Sequence, residues 1–242
     1  MSFGATQWSV ISACNDKRET SDVAQAALAQ LCRDYWPPLY SFVRRRGYNS
    51  ADAQDLVQGF FAFFLKTRAY ERTDRGKGKF RSFLLASMKH YMADVWDRER
   101  ALKRGGGLSF VLLENEMETV ERQCAREFGE AMLPGDRLYE LRWAEALVVC
   151  SLGRLEEEAM REGKGRLFAE LKPFLCGGRN VPRQEDVAVQ LAMSVETLRS
   201  HLSRWRARYR IALRDEVRRT LGEDDSVDAE LHHLCSVLAT AS

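Results

Sequence analysis

Apolar residues recur every three or four positions along most of this chain, and that spacing restricts its fold more than any other feature. Leu56, Val57, Phe60, Phe61, Phe64 and Leu65 follow it, as do Leu138, Leu141, Trp143, Leu147, Leu152 and Leu155. A helix of 3.6 residues per turn lines such positions up on one buried stripe, whereas a half-buried strand needs strict alternation. Long alternating runs are absent and helix formers dominate, so the expected fold class is all-α. With 242 residues and 45% hydrophobic content, the chain has the material for one large or two small domains, each with its own core.

The pattern divides the chain into two helical modules joined by an acidic linker. The first module is expected over residues 1–104, the linker over 105–135, the second module over 136–222 and a tail helix over 223–242. Asp22 to Arg46 has helical spacing, but Pro37 and Pro38 should break or kink it, because proline lacks an amide donor and crowds the preceding turn. Gly47-Tyr-Asn-Ser is a stop-and-restart signal in which Asn49 or Ser50 caps the next helix. A long helix is expected from Phe80 to Arg104, another from Asp136 to Arg161 and a short one from Arg166 to Leu175. In the tail, Val227, Leu231, Leu234 and Leu238 share one face, which predicts a small amphipathic helix docked on the module that precedes it.

Net charge is only +2, but its distribution is uneven. Residues 76–104 carry eight Lys/Arg against three acids, and 199–219 carry eight Arg against two. Between them, 112–130 carry six Glu against two Arg. Two basic blocks separated by an acidic one suggest two nucleic-acid contacts on separate modules. The six cysteines show no CxxC spacing, which fits reduced thiols and a cytoplasmic protein. The apolar run at 60–65 is too short to span a membrane, and MSFGATQWSV lacks the basic and apolar regions of a secretory leader.

The stretch DVAVQLAMSVETLRSHLSRWRARYR (186–210) reads as two helices meeting at a tight turn. Ala188 is the small residue inside the first helix, and Val187, Leu191, Met193 and Leu198 lock the pair. The turn, Ala192-Met-Ser, holds alanine where glycine adopts positive φ most easily, and Ser194 is placed to cap the second helix. At about 100° per residue, Val195, Leu198, Leu202, Trp205 and Tyr209 face the core. Ser194, Glu196, Thr197, Arg199, Ser200, Ser203 and Arg204 then form a short, exposed, hydrogen-bonding face suited to base edges in a major groove. Arg206, Arg208 and Arg210 are better placed for phosphates. No acid occurs between Arg199 and Arg214 to balance these arginines along the helix.

In the first module, Asp52, Asp55 and Gln58 recur at i, i+3 and i+6 and form a polar face suited to a basic partner helix. The helix dipole alone would account for Asp52 in the first turn, less well for the other two.

These motifs resemble those of a family. DAQDLVQ (52–58) is similar to the region 2 signature of extracytoplasmic-function sigma factors, of the sigma-70 family of bacterial RNA polymerase. YWPPLYSFVRRRG (35–47) looks like the preceding helix, and GKFRSFLLASMKHYMADVWDRERALKRG (78–105) looks like the segment that melts and reads the −10 element. EDVAVQLAMSVETLRSHLSRWRARYR (185–210) looks like region 4, the reader of the −35 element. TQWSV, GKGRLFAELKPFL and the VDAELHHL tail resemble a longer branch found in planctomycetes and related bacteria.

The resemblance implies that Asp52, Asp55 and Gln58 contact the β′ clamp helices of core polymerase, with the β flap as a second polymerase contact. It implies that Arg75, Lys77, Lys79, Phe80 and Arg81 hold a flipped base of the −10 element. Lys89, His90, Arg98, Arg100, Lys103 and Arg104 would lie along the −10 DNA, with Asp94 and Asp97 limiting nonspecific binding. Phe83, Leu84, Met88, Tyr91, Met92 and Trp96 are expected in the core rather than on a stacking platform. Such factors are often held by an anti-sigma protein, and here the acidic tail (223–242) is an alternative that folds back on a DNA-binding face.

The rival reading is a stand-alone helix-turn-helix transcription regulator, which leaves DAQDLVQ and the basic 76–104 block unexplained. No enzyme, cofactor or metal site is expected. GKGK (76–79) and GKGR (163–166) do not fit a phosphate loop, and His232, His233 and Cys235 read as tail-helix surface.

Overall fold

A computed structural model describes residues 21–69, 79–101, 133–176, 181–222 and 224–239. Among the described residues the regular structure is helical, with no strand. The helices are α1 (Ser21–Arg45), α2 (Ser50–Lys66), α3 (Phe80–Ala101), α4 (Gly135–Arg161), α5 (Gly165–Cys176), α6 (Gln184–Gln190), α7 (Val195–Arg219) and α8 (Val227–Ala239). The acidic linker expected at 105–135 lies almost wholly outside the described residues.

Pro37 and Pro38 do not break α1, contrary to the expectation. Around them Tyr35, Trp36, Leu39, Tyr40, Phe42 and Val43 are all buried, so tertiary packing holds the helix where two amide donors are missing. Gly47 ends the segment at φ +94, a backbone conformation a side chain would strain. Asn49 then caps α2: its side chain accepts from the Asp52 amide at 2.9 Å and donates to the Asp52 carboxylate at 2.8 Å. Gly59 lets α3 approach closely, because a Cβ there would meet the Tyr91 hydroxyl at 2.5 Å.

The chain forms two compact units. One contains Glu145–Arg219, the later part of α4 with α5, α6 and α7. Its core includes Leu155, Phe168, Leu171, Val187, Ala188, Leu198, Leu202 and Trp205. The other takes the described parts of Ala5–Ala144 together with Thr220–Ser242. Its core is aromatic: Tyr35 meets Phe80 edge-on at 5.5 Å, and Trp36 stacks on Phe61 at 6.1 Å.

This division differs from the expected one at two places. The start of α4 belongs with the first module, since Tyr139 donates its hydroxyl to the Arg81 carbonyl at 3.0 Å and Trp143 lies under the Arg81 guanidinium. The tail helix also belongs there, not with the module that precedes it in sequence. Its buried residues are Glu230, Leu234 and Val237, so the helix is turned from the face expected through Val227, Leu231, Leu234 and Leu238. Burial of an acid needs a charge partner, and the first module provides it.

Candidate nucleic-acid interface

The α6–α7 pair is locked as its residues require. Val187, Ala188 and Leu198 are buried, with Leu191 and Met193 packed against the same core. Ala192 sits at φ +53. Its amide donates to the Val189 carbonyl and the Met193 amide to that of Ala188, both at 3.0 Å, so a left-handed residue closes the helix end. Ser194 caps α7 by accepting from the Thr197 amide at 3.1 Å.

Along α7 the two faces separate as the spacing predicts. Leu198, Leu202 and Trp205 are buried. Ser194, Glu196, Thr197, Arg199, Ser200, Ser203, Arg204, Arg206 and Arg210 are exposed. The Glu196 carboxyl is held below its ordinary value by its own backbone amide and by the Ser194 hydroxyl, so it stays an anionic acceptor. Arg199 donates to the Gln184 side chain at 3.1 Å, which ties α7 to the start of α6. Gln184, Arg199, Leu202, Ser203, Arg206 and Arg210 line an open cleft of about 340 Å³. Its three guanidinium groups suit an anionic backbone.

Arg208 departs from the expected phosphate role. It donates to Glu158 on α4 at 3.0 Å and to Glu162 just past its end at 2.7 Å, and its guanidinium lies 4.3 Å from the Trp205 ring. The acids missing from α7 itself are supplied by the helix packed beside it, which sequence spacing does not report.

The basic block of the first module is arranged very differently. Arg75, Lys77, Lys103 and Arg104 lie outside the described residues, as do the side chains of Arg98 and Arg100. Phe80 is fully buried and Arg81 is 5% exposed. Lys79 and Arg81 both donate to the carboxylate of Glu230 on α8, one to each oxygen. Burial, then each cation's neighbour or surroundings, matters here: burial pushes the Lys79 and Arg81 values down, and Arg81 pushes Lys79 down further. Asp225 and Glu140 act in the opposite sense on both cations. Lys89 is held by Asp136 at 2.7 Å, while His90 is exposed.

Of the α3 residues expected in the core, Leu84 and Met88 are buried and Phe83, Tyr91 and Met92 are half-buried. Trp96 is not: it is 60% exposed, close to the exposed Asp94 and Asp97. Its helical spacing is that of a core residue, yet most of its surface stays open to solvent.

Asp52 and Asp55 are exposed on α2 and Gln58 is half-buried, while Ala53, Leu56, Val57 and Phe60 point inward. Asp52 is shared with the cap on Asn49. Asp55 has no part in that cap.

Residues 31–102 match the family model of sigma-70 region 2. The matched segment opens within α1 and closes at the end of α3, so it takes in the acidic face of α2 and the basic start of α3. The likeness covers 72 of the 242 residues. No curated protein and no solved structure matches the chain. Among the described residues, no helix is long and apolar enough to cross a membrane.

The sequence reading did not find Glu230, Tyr139 or Trp143 as neighbours of the region 2 basic residues. Glu230 carried a signal: it lies three residues after Val227 and four before Leu234, an acid on the apolar side of the tail helix. Nothing in the spacing named its partners.

Proposed function

We propose that this protein is a sigma factor of the extracytoplasmic-function type, which binds core RNA polymerase and directs it to promoters. The region 2 match over residues 31–102 carries this reading. In it, Asp55 and Gln58, with Asp52 beside the α2 cap, dock on the clamp helices of the β′ subunit. The α6–α7 pair is a helix-turn-helix that reads the −35 element. Glu196, Thr197, Arg199, Ser200, Ser203 and Arg204 meet base edges, and Arg206 and Arg210 hold phosphates. The exposure of all eight, against the burial of Leu198, Leu202 and Trp205 behind them, supports that division. The start of α3 meets the −10 DNA. Catalysis belongs to the polymerase.

The test combines the purified chain with core polymerase on a library of genomic fragments and scores run-off transcripts. Promoter-dependent transcripts and a complex with core are expected. Absence of both would overturn the reading in favour of a regulator that acts without polymerase. Asp55→Lys sharpens it, because Asp55 is exposed and lies outside the helix cap. Core binding should fall by about tenfold or more, as for an interfacial charge reversed against its partner. Undiminished binding would remove Asp55 from the interface.

A further inference from the structure

The tail helix presents an unusual pairing. Glu230 is 1% exposed, yet it sits mid-face on a surface helix, between the buried Leu234 and the helix start. Its two carboxylate oxygens take one cation each, Lys79 and Arg81. Arg81 is also fixed from below by the Trp143 ring at 4.1 Å. Asp225, two residues before α8, accepts from the Gly222 amide at 3.0 Å and adds negative charge near both cations.

Two converging cations with an aromatic floor make an anion site. A carboxylate presents two acceptor oxygens to them, as a phosphate diester does. The cations lie at the basic start of α3, inside the segment that matches region 2. The carboxylate comes from the far end of the chain, on a 13-residue helix whose other buried side chains are Leu234 and Val237. A 13-residue helix with two buried apolar side chains opens at lower cost than the aromatic core it packs on.

We propose that Lys79 and Arg81 form a binding site for a phosphate of single-stranded nucleic acid, and that Glu230 on α8 occupies this site in the free protein. Nucleic acid and α8 then compete for one pair of cations, and the tail sets the threshold for engagement at the start of α3. This rests on the sigma-factor reading for its biological setting, but the competition itself is a property of the free chain.

The experiment measures binding of a fluorescent 20-nucleotide single strand to the full chain, by anisotropy, at 50 and 200 mM salt. Glu230→Gln keeps the shape and removes the charge. It should bind several-fold tighter than the unaltered protein. One phosphate contact added to a single strand should steepen the salt dependence by about 2.6-fold over that fourfold range. Adding Lys79→Ala and Arg81→Ala to the Glu230→Gln chain should erase the gain. A folded Glu230→Gln variant that binds no tighter would reduce Glu230 to a packing ion pair and overturn the proposal.

Hydrogen exchange on the unaltered protein covers the case in which that variant does not fold. Saturating single strand should deprotect the amides of 227–239, and unchanged protection would overturn the proposal. Inorganic phosphate at matched phosphate concentration separates a small-anion site from a nucleic-acid site; deprotection by phosphate alone would overturn the nucleic-acid assignment. Run-off transcription with a failed Glu230→Gln gain would sink the tail proposal alone. A Glu230→Gln gain without any transcription would sink the sigma reading and leave the competition standing.

Discussion

The two basic regions of this protein carry the same number of Lys and Arg residues and have opposite surroundings. In the unit of residues 145–219, α7 keeps its polar face open: Glu196, Thr197, Arg199, Ser200, Ser203 and Arg204 are all exposed. In the other unit, Lys79 and Arg81 converge on a buried carboxylate and Phe80 has no exposure at all. The difference shows that arginine and lysine density reports the potential for anion binding, not its availability. Availability depends on which acids the fold brings alongside. Arg208 makes the same point on a smaller scale, since α4 takes it out of an otherwise open face.

The largest effect should come from removing the support of the open face. Trp205 is 3% exposed and packs 4.9 Å from the Phe168 ring. Trp205→Ala should cost the 145–219 unit about 3–5 kcal/mol in denaturant unfolding. A loss under about 1 kcal/mol would mean that α7 is held by something other than its buried stripe.

Next comes the contrast within α7 between Arg204 and Arg208. Arg208→Ala should lower stability by about 1–2 kcal/mol, through the lost α4 pairs and the Trp205 stack. Arg204→Ala should leave stability within about 0.5 kcal/mol of the parent and weaken duplex binding instead. Thermal melts and anisotropy on both variants would break the comparison if the two behaved alike.

Ala192→Gly relieves a left-handed alanine at φ +53. The change should raise stability by about 0.5–1 kcal/mol, after allowing for the greater freedom of glycine in the unfolded chain. A destabilised variant would show that the turn is set by packing of the Ala192 methyl rather than tolerated despite it.

The smallest effect concerns pH. Glu162 is held down to about 2 from an ordinary 4.5, first by the hydrogen bond from Arg208 and then by that from Lys164. Because the folded value is depressed, its contribution is fully present above the ordinary carboxylate range and fades as pH falls towards 2. An NMR titration should find its midpoint low, and Arg208→Ala should move it back up. A midpoint unmoved by that change would remove Arg208 as the cause.

Much of the second unit was legible because its determinants are local. Ser194 caps the helix it precedes. The turn at Ala192 is closed by bonds to carbonyls three and five residues back. The face of α7 follows from its period. The Gly47 stop and the Asn49 cap were legible for the same reason. The continuity of α1 was not, because Pro37 and Pro38 are local signals overruled by the aromatic core around them. Trp96 failed in the opposite direction: its spacing is that of a core residue, but it is 60% exposed.

The sequence by itself determined that the chain is helical, where most helices start and stop, and which stripe of each is apolar. These properties depend on contacts within four or five residues. It also carried the region 2 motif that residues 31–102 share with the sigma-70 family model. Tertiary structure decided which charges meet. Glu230 and Arg81 are 149 residues apart, and Arg208 and Glu162 are 46 apart. Charge pairing across such separations depends on distance in space, and that proximity leaves no periodic trace along the chain.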